Sequence, residues 1–260
     1  MRRLPLLLAL ALISASPASA QEAERPPFIT TPADVVVEML RFAGTGPGDL
    51  VVDLGSGDGR IPIAAAATFG ARGLGIELDA ALVETSRRNA EAAKVSERVR
   101  FVQGDVLRAD FSQASVVTVY LLPSLINQLQ PRLLAELRPG TRILSHAFVM
   151  TGWPPDRSHT MRVAQRESTH SDYSTFHLWV VPANARGRWA GGPWEVVIHQ
   201  NFQQLDVEAA RDGRAVQVSG AALAGQDIRW EAAGARFVGR VRADAIAGTL
   251  DGAPLVLKKR

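Results

Sequence analysis

The 260-residue chain contains no cysteine, which excludes a disulfide scaffold, thiolate-held zinc or iron–sulfur sites, and any cysteine nucleophile. Aromatic residues make up only 6%, and no stripe of basic and aromatic side chains offers a platform for stacking single-stranded bases. Charge of one sign is equally scarce: Lys and Arg number 29 against 26 Asp and Glu. The small surplus sits at the chain ends, in Arg2 and Arg3 and in Lys258, Lys259 and Arg260. The pI of 9.8 therefore does not describe a basic face that tracks phosphates, and no nucleic-acid partner is expected. His159, His170, His177 and His199 show no ligand spacing, so no metal is expected either. Apolar residues, by contrast, make up 47%, enough for a packed core in one large domain or two modest ones.

Residues 1–20 read as a secretory leader. Arg2 and Arg3 form the charged start, residues 4–13 a short apolar stretch, and Ala18-Ser19-Ala20 a small-x-small cleavage site before Gln21. The stretch is shorter than the roughly 20 residues of a spanning helix, and no Cys follows the site to carry a lipid anchor. The expectation is an exported mature chain with no transmembrane segment, in a bacterium the periplasm or beyond. A mis-assigned start would leave it cytoplasmic.

From about residue 31 to 148, strand and helix patterns alternate. Thr31-Pro32-Ala33-Asp34 predicts a helix start with Thr31 as cap and Pro32 at the first helical position. The buried run 50–54 predicts a strand, followed by a glycine loop, an Ala-rich helix at about 61–68, a strand at 73–78, and a helix at about 80–93. That last helix carries Leu82, Ser86, Ala90 and Ala93 along one face. Strands recur at 99–102, 116–122 and 142–148, with a helix at about 125–137. Unbroken apolar strands joined by helices mean a parallel sheet covered on both faces, here a doubly wound, Rossmann-like α/β domain over residues 27–183.

Beyond residue 158 short alternating runs take over, at 160–166, 175–181, 194–203, 215–219, 228–231, 237–241, 245–249 and 255–258. The first two would complete the α/β sheet with an antiparallel pair. The rest predict a small antiparallel β-rich domain over residues 186–260, a meander or small barrel. Trp153, Trp179, Trp189, Trp194 and Trp230 read as core of this part; Trp189 and Trp194 could alternatively line a mouth for an apolar or extended substrate.

The most informative stretch is Val51-Val52-Asp53-Leu54-Gly55-Ser56-Gly57-Asp58-Gly59-Arg60-Ile61. A buried strand runs into a glycine turn and then a helix, a layout that binds a nucleotide-like ligand beyond the carboxyl end of the strand. A dinucleotide fingerprint would need glycine at position 60, where Arg60 stands; the spacing is G-x-G-x-G instead. Here the chain resembles the class I methyltransferases that use S-adenosyl-L-methionine. Two strand-end acids support the resemblance: Glu77, placed to accept from ribose hydroxyls, and Asp105, where this family receives the adenine amino group. The resemblance implies a cofactor site made of Thr31, Asp53, Gly55, Ser56, Gly57, Gly59, Glu77, Asp105 and Val106, with residues 28–32 folding over the cofactor.

A closer resemblance covers residues 27–157. Thr31-Pro32, Gly75-Ile76-Glu77-Leu78, Tyr120-Leu121-Leu122-Pro123, Leu137-Arg138-Pro139-Gly140 and Ser145-His146-Ala147-Phe148 are similar to the small protein-lysine methyltransferases that modify the ATP synthase c-subunit and the adenine nucleotide translocase, and to their bacterial relatives. Enzymes that methylate base amino groups or glutamine amides carry an [Asn/Asp]-Pro-Pro-[Tyr/Phe] turn where this chain has Tyr120-Leu121-Leu122-Pro123. Direct in-line transfer to a protein lysine is therefore the expected reaction, with Tyr120 as the group beside the methyl and Asn127, Ser145 and His146 as weaker candidates. His146 reads more readily as a satisfied structural histidine than as a base. Two alternatives stand: a methyltransferase for a small molecule or envelope component, and an exported nucleoside-binding protein without turnover. The cofactor is made in the cytoplasm, so export and activity pull in opposite directions.

Overall fold

The computed structural model describes residues 29–164 and 171–260. The leader at 1–20, Arg25-Pro26-Pro27, Phe28, His170 and the end of the 160–166 run lie outside the described residues.

The first sheet has seven strands in the order β3-β2-β1-β4-β5-β7-β6. Its chain path runs α1 (Ala33–Phe42), β1 (Leu50–Leu54), α2 (Arg60–Phe69), β2 (Arg72–Glu77), α3 (Ala80–Ala92), β3 (Val99–Gln103), β4 (Val116–Val119), α4 (Pro123–Glu136), β5 (Arg142–His146), β6 (Arg157–Arg162) and β7 (Tyr173–Val180). The first five strands are parallel; β7 pairs antiparallel with both β5 and β6, as the 160–166 and 175–181 runs predict. β1, β4 and β5 are almost wholly buried because helices cover both faces, whereas the edge strand β6 is exposed. On one face α4 lays Ile126, Leu129 and Leu133 against Val117, Val119 and Ile143. On the other, Val35, Val36, Met39 and Leu40 of α1 pack with Val116 and Leu144. The strand order reverses between β1 and β4, which opens a crevice at the carboxyl ends of β1, β2 and β4.

Two local expectations are corrected. Pro32, not Thr31, is the N-cap of α1; the Thr31 hydroxyl is engaged elsewhere, with Nδ1 of His146 at 3.0 Å. In α3 the buried face is Val83, Ser86 and Ala90, one position round from the Leu82 and Ala93 stripe. Asp79 caps the helix by accepting from the Ala81 N–H at 2.8 Å, which sets its first turn and rotates Leu82 toward the crevice.

The second sheet has nine antiparallel strands in the order β11-β10-β9-β8-β16-β15-β14-β13-β12. These are β8 (Gly187–Gly191), β9 (Trp194–Asn201), β10 (Gln204–Arg211), β11 (Arg214–Val216), β12 (Val218–Ala224), β13 (Asp227–Ala232), β14 (Ala235–Val241), β15 (Ala245–Leu250) and β16 (Ala253–Lys259). Two meanders are stitched by the β16–β8 pairing, and β12 comes round against β10, so the sheet is a nearly closed barrel. Trp189, Trp194, Trp230, Phe237 and Leu257 fill its interior. The alternating runs of the sequence do not reveal β8 and β10. Gly-Arg-Trp-Ala-Gly is short, and Gln204–Arg211 carries Asp206, Glu208, Ala209 and Ala210, which disfavour strand; the hairpin register against β9 overrides that preference.

The tryptophans divide between the cores. Trp189 and Trp194 are buried in the barrel, Trp189 lining a cavity of about 600 Å³ there, whereas Trp153 and Trp179 belong to the core of the first domain. The assignment of all five to the β-rich part is thus corrected: Trp179 sits on β7, and its indole N–H donates to the Trp153 carbonyl at 2.9 Å. Leu129→Ala, which empties a fully buried position of α4, is expected to destabilise the first domain by about 2–5 kcal/mol. A urea midpoint unchanged from the parent chain would refute the packing described.

Candidate active site

The crevice begins where β1 delivers the chain into Gly55, Gly57 and Gly59, which have φ of +82°, +54° and +80°. At Gly55 a Cβ would meet Leu121 at 2.7 Å, and at Gly59 it would meet Phe101 at 2.7 Å and Ser86 at 2.8 Å. Left-handed backbone and crowding together admit only glycine at these two positions. The turn is tied down on its far side: the N–H groups of Gly55 and Ser56 donate to the Ile76 carbonyl at 2.8 and 3.0 Å, and Ser86 Oγ donates to the Gly57 carbonyl at 2.8 Å. Glu77 links loop and second strand, Oε2 accepting from the Gly57 N–H at 2.9 Å and Oε1 from the Asp79 N–H at 3.0 Å. A carboxylate has about four acceptor directions, so both oxygens retain capacity for ligand hydroxyls.

Around this turn lies a cavity of about 310 Å³. Of the residues that the sequence singles out, Thr31, Asp53, Gly55, Ser56, Gly57, Glu77, Asp105, Val106 and Tyr120 all line it. Gly59 does not: it sits behind the loop against Phe101 and Ser86, so its part is conformational. Among the described residues the Ser56 hydroxyl has no partner; it is buried and turned toward Gly75, where a Cβ would meet it at 2.5 Å. Asp105 accepts from the Leu107 N–H at 2.9 Å, which fixes its carboxylate at the end of β3.

The segment before α1 crosses one side of the cavity, with Ile29, Thr30 and Thr31 among its lining. Arg60 holds it from the loop side, donating Nη1 to the Thr31 carbonyl at 2.8 Å while its other nitrogens grip Asp58 at 2.7 to 3.2 Å. His146 holds it from the sheet side through Thr31 Oγ1, and its Nε2 meets Ser174 Oγ at 2.6 Å. Both ring nitrogens of His146 are thus engaged by hydroxyl groups. In the sequence Arg60 registers only as the absent third glycine; no local signal marks it as a tie. Asn127 accepts from the Thr151 N–H at 2.9 Å, and among the described residues Ser145 Oγ is buried without a partner.

The same cavity has an apolar wall. Tyr120, Leu121, Leu122, Leu125 and Phe148 form it, the Tyr120 ring lying 4.2 Å from His146 and 6.1 Å from Phe148 between centroids. Burial pushes the Tyr120 hydroxyl above its ordinary value, so it is a neutral hydrogen-bonding group at physiological pH. Leu82, Leu125 and Phe148 are lining residues that sequence reasoning does not single out as such. Among the described residues no group of three His, Asp or Glu could hold a metal ion.

Four acids, Asp53, Asp58, Glu77 and Asp105, face Arg60 alone among the basic lining residues. Asp53 feels this most. Burial is the largest cause, the Thr118 hydroxyl donating at 2.6 Å opposes it, and the charges of Glu77 and Asp58 add to it; the carboxyl is pushed up to about 7. An ordinary aspartate ionises near 3.8. Between those values the native carboxyl keeps a proton that the unfolded chain has lost, so stability falls as pH rises through that window and levels off above it. Asp53→Asn removes this dependence. Its gain over the parent chain is expected to be near zero at pH 4 and to grow by about 1.4 kcal/mol per pH unit across the window. Urea midpoints at pH 4 and pH 8 that shift equally would show that Asp53 titrates as an ordinary carboxyl.

Known proteins share this sequence and this geometry. Residues 53–157 match the family described as the ANTKMT methyltransferase domain. A protein-lysine N-methyltransferase of Saccharolobus islandicus is 38% identical over 148 residues, 56% of this chain and 91% of that protein. The lysine N-methyltransferase of the ATP synthase c-subunit from Xenopus laevis is 38% identical over 130 residues, 50% of this chain, and the chain spans 55% of its length. Among solved structures, an RNA methyltransferase from Salinibacter ruber in complex with S-adenosyl-L-homocysteine is 46% identical, with a TM-score of 0.54. That match covers 60% of this chain and 95% of the Salinibacter chain. The seven-stranded sheet, the glycine turn with its strand-end acids and these matches agree: this chain belongs to the S-adenosyl-L-methionine-dependent methyltransferases, in the family of the protein-lysine N-methyltransferases.

Proposed function

We propose that the chain methylates lysine side chains of a protein, with Asp53, Glu77, Asp105, Val106, Thr31 and the glycine turn holding the cofactor and Tyr120 standing beside the transferred methyl. The observation that carries this reading is one cavity lined both by four acids and by a set of apolar side chains. The acids fit S-adenosyl-L-methionine: Glu77 and Asp105 are strand-end acceptors for a nucleoside, and the surplus of carboxylates suits a ligand bearing sulfonium and ammonium charges. When bound, the cofactor supplies an electrophilic methyl and its own leaving group.

The chain's own residues supply alignment and a dry approach. A free lysine has a pKa of about 10.4. A sleeve of Tyr120, Leu121, Leu122, Leu125 and Phe148 disfavours the charged form and lowers that value, so the neutral amine can be presented along the transfer line. The tyrosine hydroxyl can orient the amine without accepting its proton outright, which passes to water at the mouth. RNA, from which the Salinibacter enzyme takes its name, suits this site less well. The end of β4 reads Tyr120-Leu121-Leu122-Pro123, with no Asn or Asp to hold a planar nitrogen.

We further propose that the enzyme works outside the cytoplasm, on the strength of the 1–20 leader. The mature chain is expected to begin at Gln21, and an intact Met1 terminus on protein recovered from its native cells would refute export.

The enzymatic reading is tested by titrating residues 21–260 with S-adenosyl-L-methionine and its demethylated product in a calorimeter. Glu77→Ala is expected to weaken binding by at least about tenfold, some 1.4 kcal/mol. With labelled cofactor and envelope extract, label should appear in protein as methyl-lysine. No binding by the folded chain would overturn the reading, and label confined to lipid, small molecules or RNA would overturn the lysine acceptor.

A further inference from the structure

The barrel meets the first domain at the tip of the β9–β10 hairpin. Its two-residue loop is Phe202-Gln203, and Phe202 has φ +54°, a conformation that hairpin loops ordinarily give to Gly or Asn. A large aromatic is kept there against that preference, and its ring lies flat on Trp153, with centroids 5.4 Å apart and planes at 9°. Gln203 grips the same stretch twice: Oε1 accepts from Trp153 Nε1 at 2.9 Å, and Nε2 donates to the Pro154 carbonyl at 2.7 Å. From the barrel side, Gln200 Nε2 holds the tip by donating to the Phe202 and Ala183 carbonyls at 2.7 and 2.9 Å.

We propose that Phe202 and Gln203 are positioning residues for methyl transfer, clamping residues 148–154 from the barrel and so setting the Tyr120–Phe148 wall of the site. This rests on the reading of that wall as the acceptor face. The clamped stretch runs directly into it. Trp153 is 1% exposed and its carbonyl accepts from Trp179, Thr151 is tied to Asn127 on α4, Met150 is buried in the core, and Phe148 lines the cavity beside Tyr120. The hairpin tip thus holds the loop that follows β5 rather than the sheet itself. The matched 148 residues make up 91% of the Saccharolobus relative's length, and the remainder of that protein is too short for a second, nine-stranded sheet. The support for this wall is therefore particular to the longer chain.

The test uses the full chain. Phe202→Gly removes the ring while giving φ +54° a residue that prefers it, so the hairpin keeps its fold; Gln203→Ala removes the grip on Trp153 and Pro154; Phe202→Tyr restores the stack. Amide hydrogen exchange in residues 148–154 is expected to speed up about tenfold or more in the first two variants and return in the third, with residues 55–61 unchanged. Cofactor affinity should stay within about twofold, while KM for the protein acceptor rises about tenfold and kcat changes by less than about threefold. Unchanged exchange at 148–154, or equal acceleration in both segments, would overturn the clamp. Exchange confined to 148–154 in a parent chain that methylates no lysine would leave the clamp standing and remove only the proposed acceptor.

Discussion

The Gly57 N–H donates to the Glu77 carboxylate at 2.9 Å, and much of the site depends on that bond. It ties the turn after β1 to the end of β2, across strands that are themselves in register from Leu50↔Arg72 to Leu54↔Ile76. The same carboxylate fixes Asp79, which caps α3, and α3 returns Ser86 to hold the Gly57 carbonyl. Loop, strand end and helix start therefore form a closed ring of hydrogen bonds. The ring can close only if the loop runs left-handed beneath Leu121 and over Phe101, which is why glycine stands at 55 and 59.

Such a ring concentrates carboxylates, and the fold bears a cost for it. Asp53 is 3% exposed and has Thr118 as its hydrogen-bond donor, with further acids nearby, so its proton is held far above the ordinary carboxylate range. Ser56 and Ser145 add buried hydroxyls with no partner among the described residues. Unsatisfied and neutralised groups of this kind are destabilising in a protein without ligand. Of these, Asp53 and Ser56 line the cavity, where a ligand that brings positive charge would favour the ionised Asp53.

Much of this is legible in the sequence because it is written in consecutive residues. Leu50–Leu54 followed by glycines at alternate positions specifies strand and turn, and acids at 77 and 105 fall at strand ends wherever the strands are placed. Interactions between distant residues are not legible. Thr31 resembles a cap because caps are local; that its hydroxyl meets His146 at 3.0 Å depends on packing across 115 positions. Gly59 carries the motif and so reads as a ligand contact, yet it faces Phe101. Strand β10 escapes detection because Glu208, Ala209 and Ala210 favour helix, and only its register with β9 makes it a strand. Trp153 lies close to the β-rich part along the chain and belongs to the other core in space.

The groups around the apolar wall also bear on how a lysine acceptor would lose its proton under the proposed reading. His146 has both ring nitrogens engaged. The Tyr120 hydroxyl, pushed upward by burial, is a poor acceptor of a full charge, since its conjugate base is disfavoured in a dry site. Asp53 titrates near neutrality, but it lines the cavity on the cofactor side under the proposed reading and accepts from Thr118. Among the described residues, no side chain at that wall is both free and basic enough to take a proton from an ammonium. The task then falls to burial itself: an ammonium entering between Tyr120, Leu125 and Phe148 loses hydration that those side chains do not replace, and its neutral form is favoured before transfer begins. Under that reading the acceptor would be selected by how completely its lysine stem fills the sleeve, so specificity would rest on the same apolar surface that strips the ammonium of its hydration.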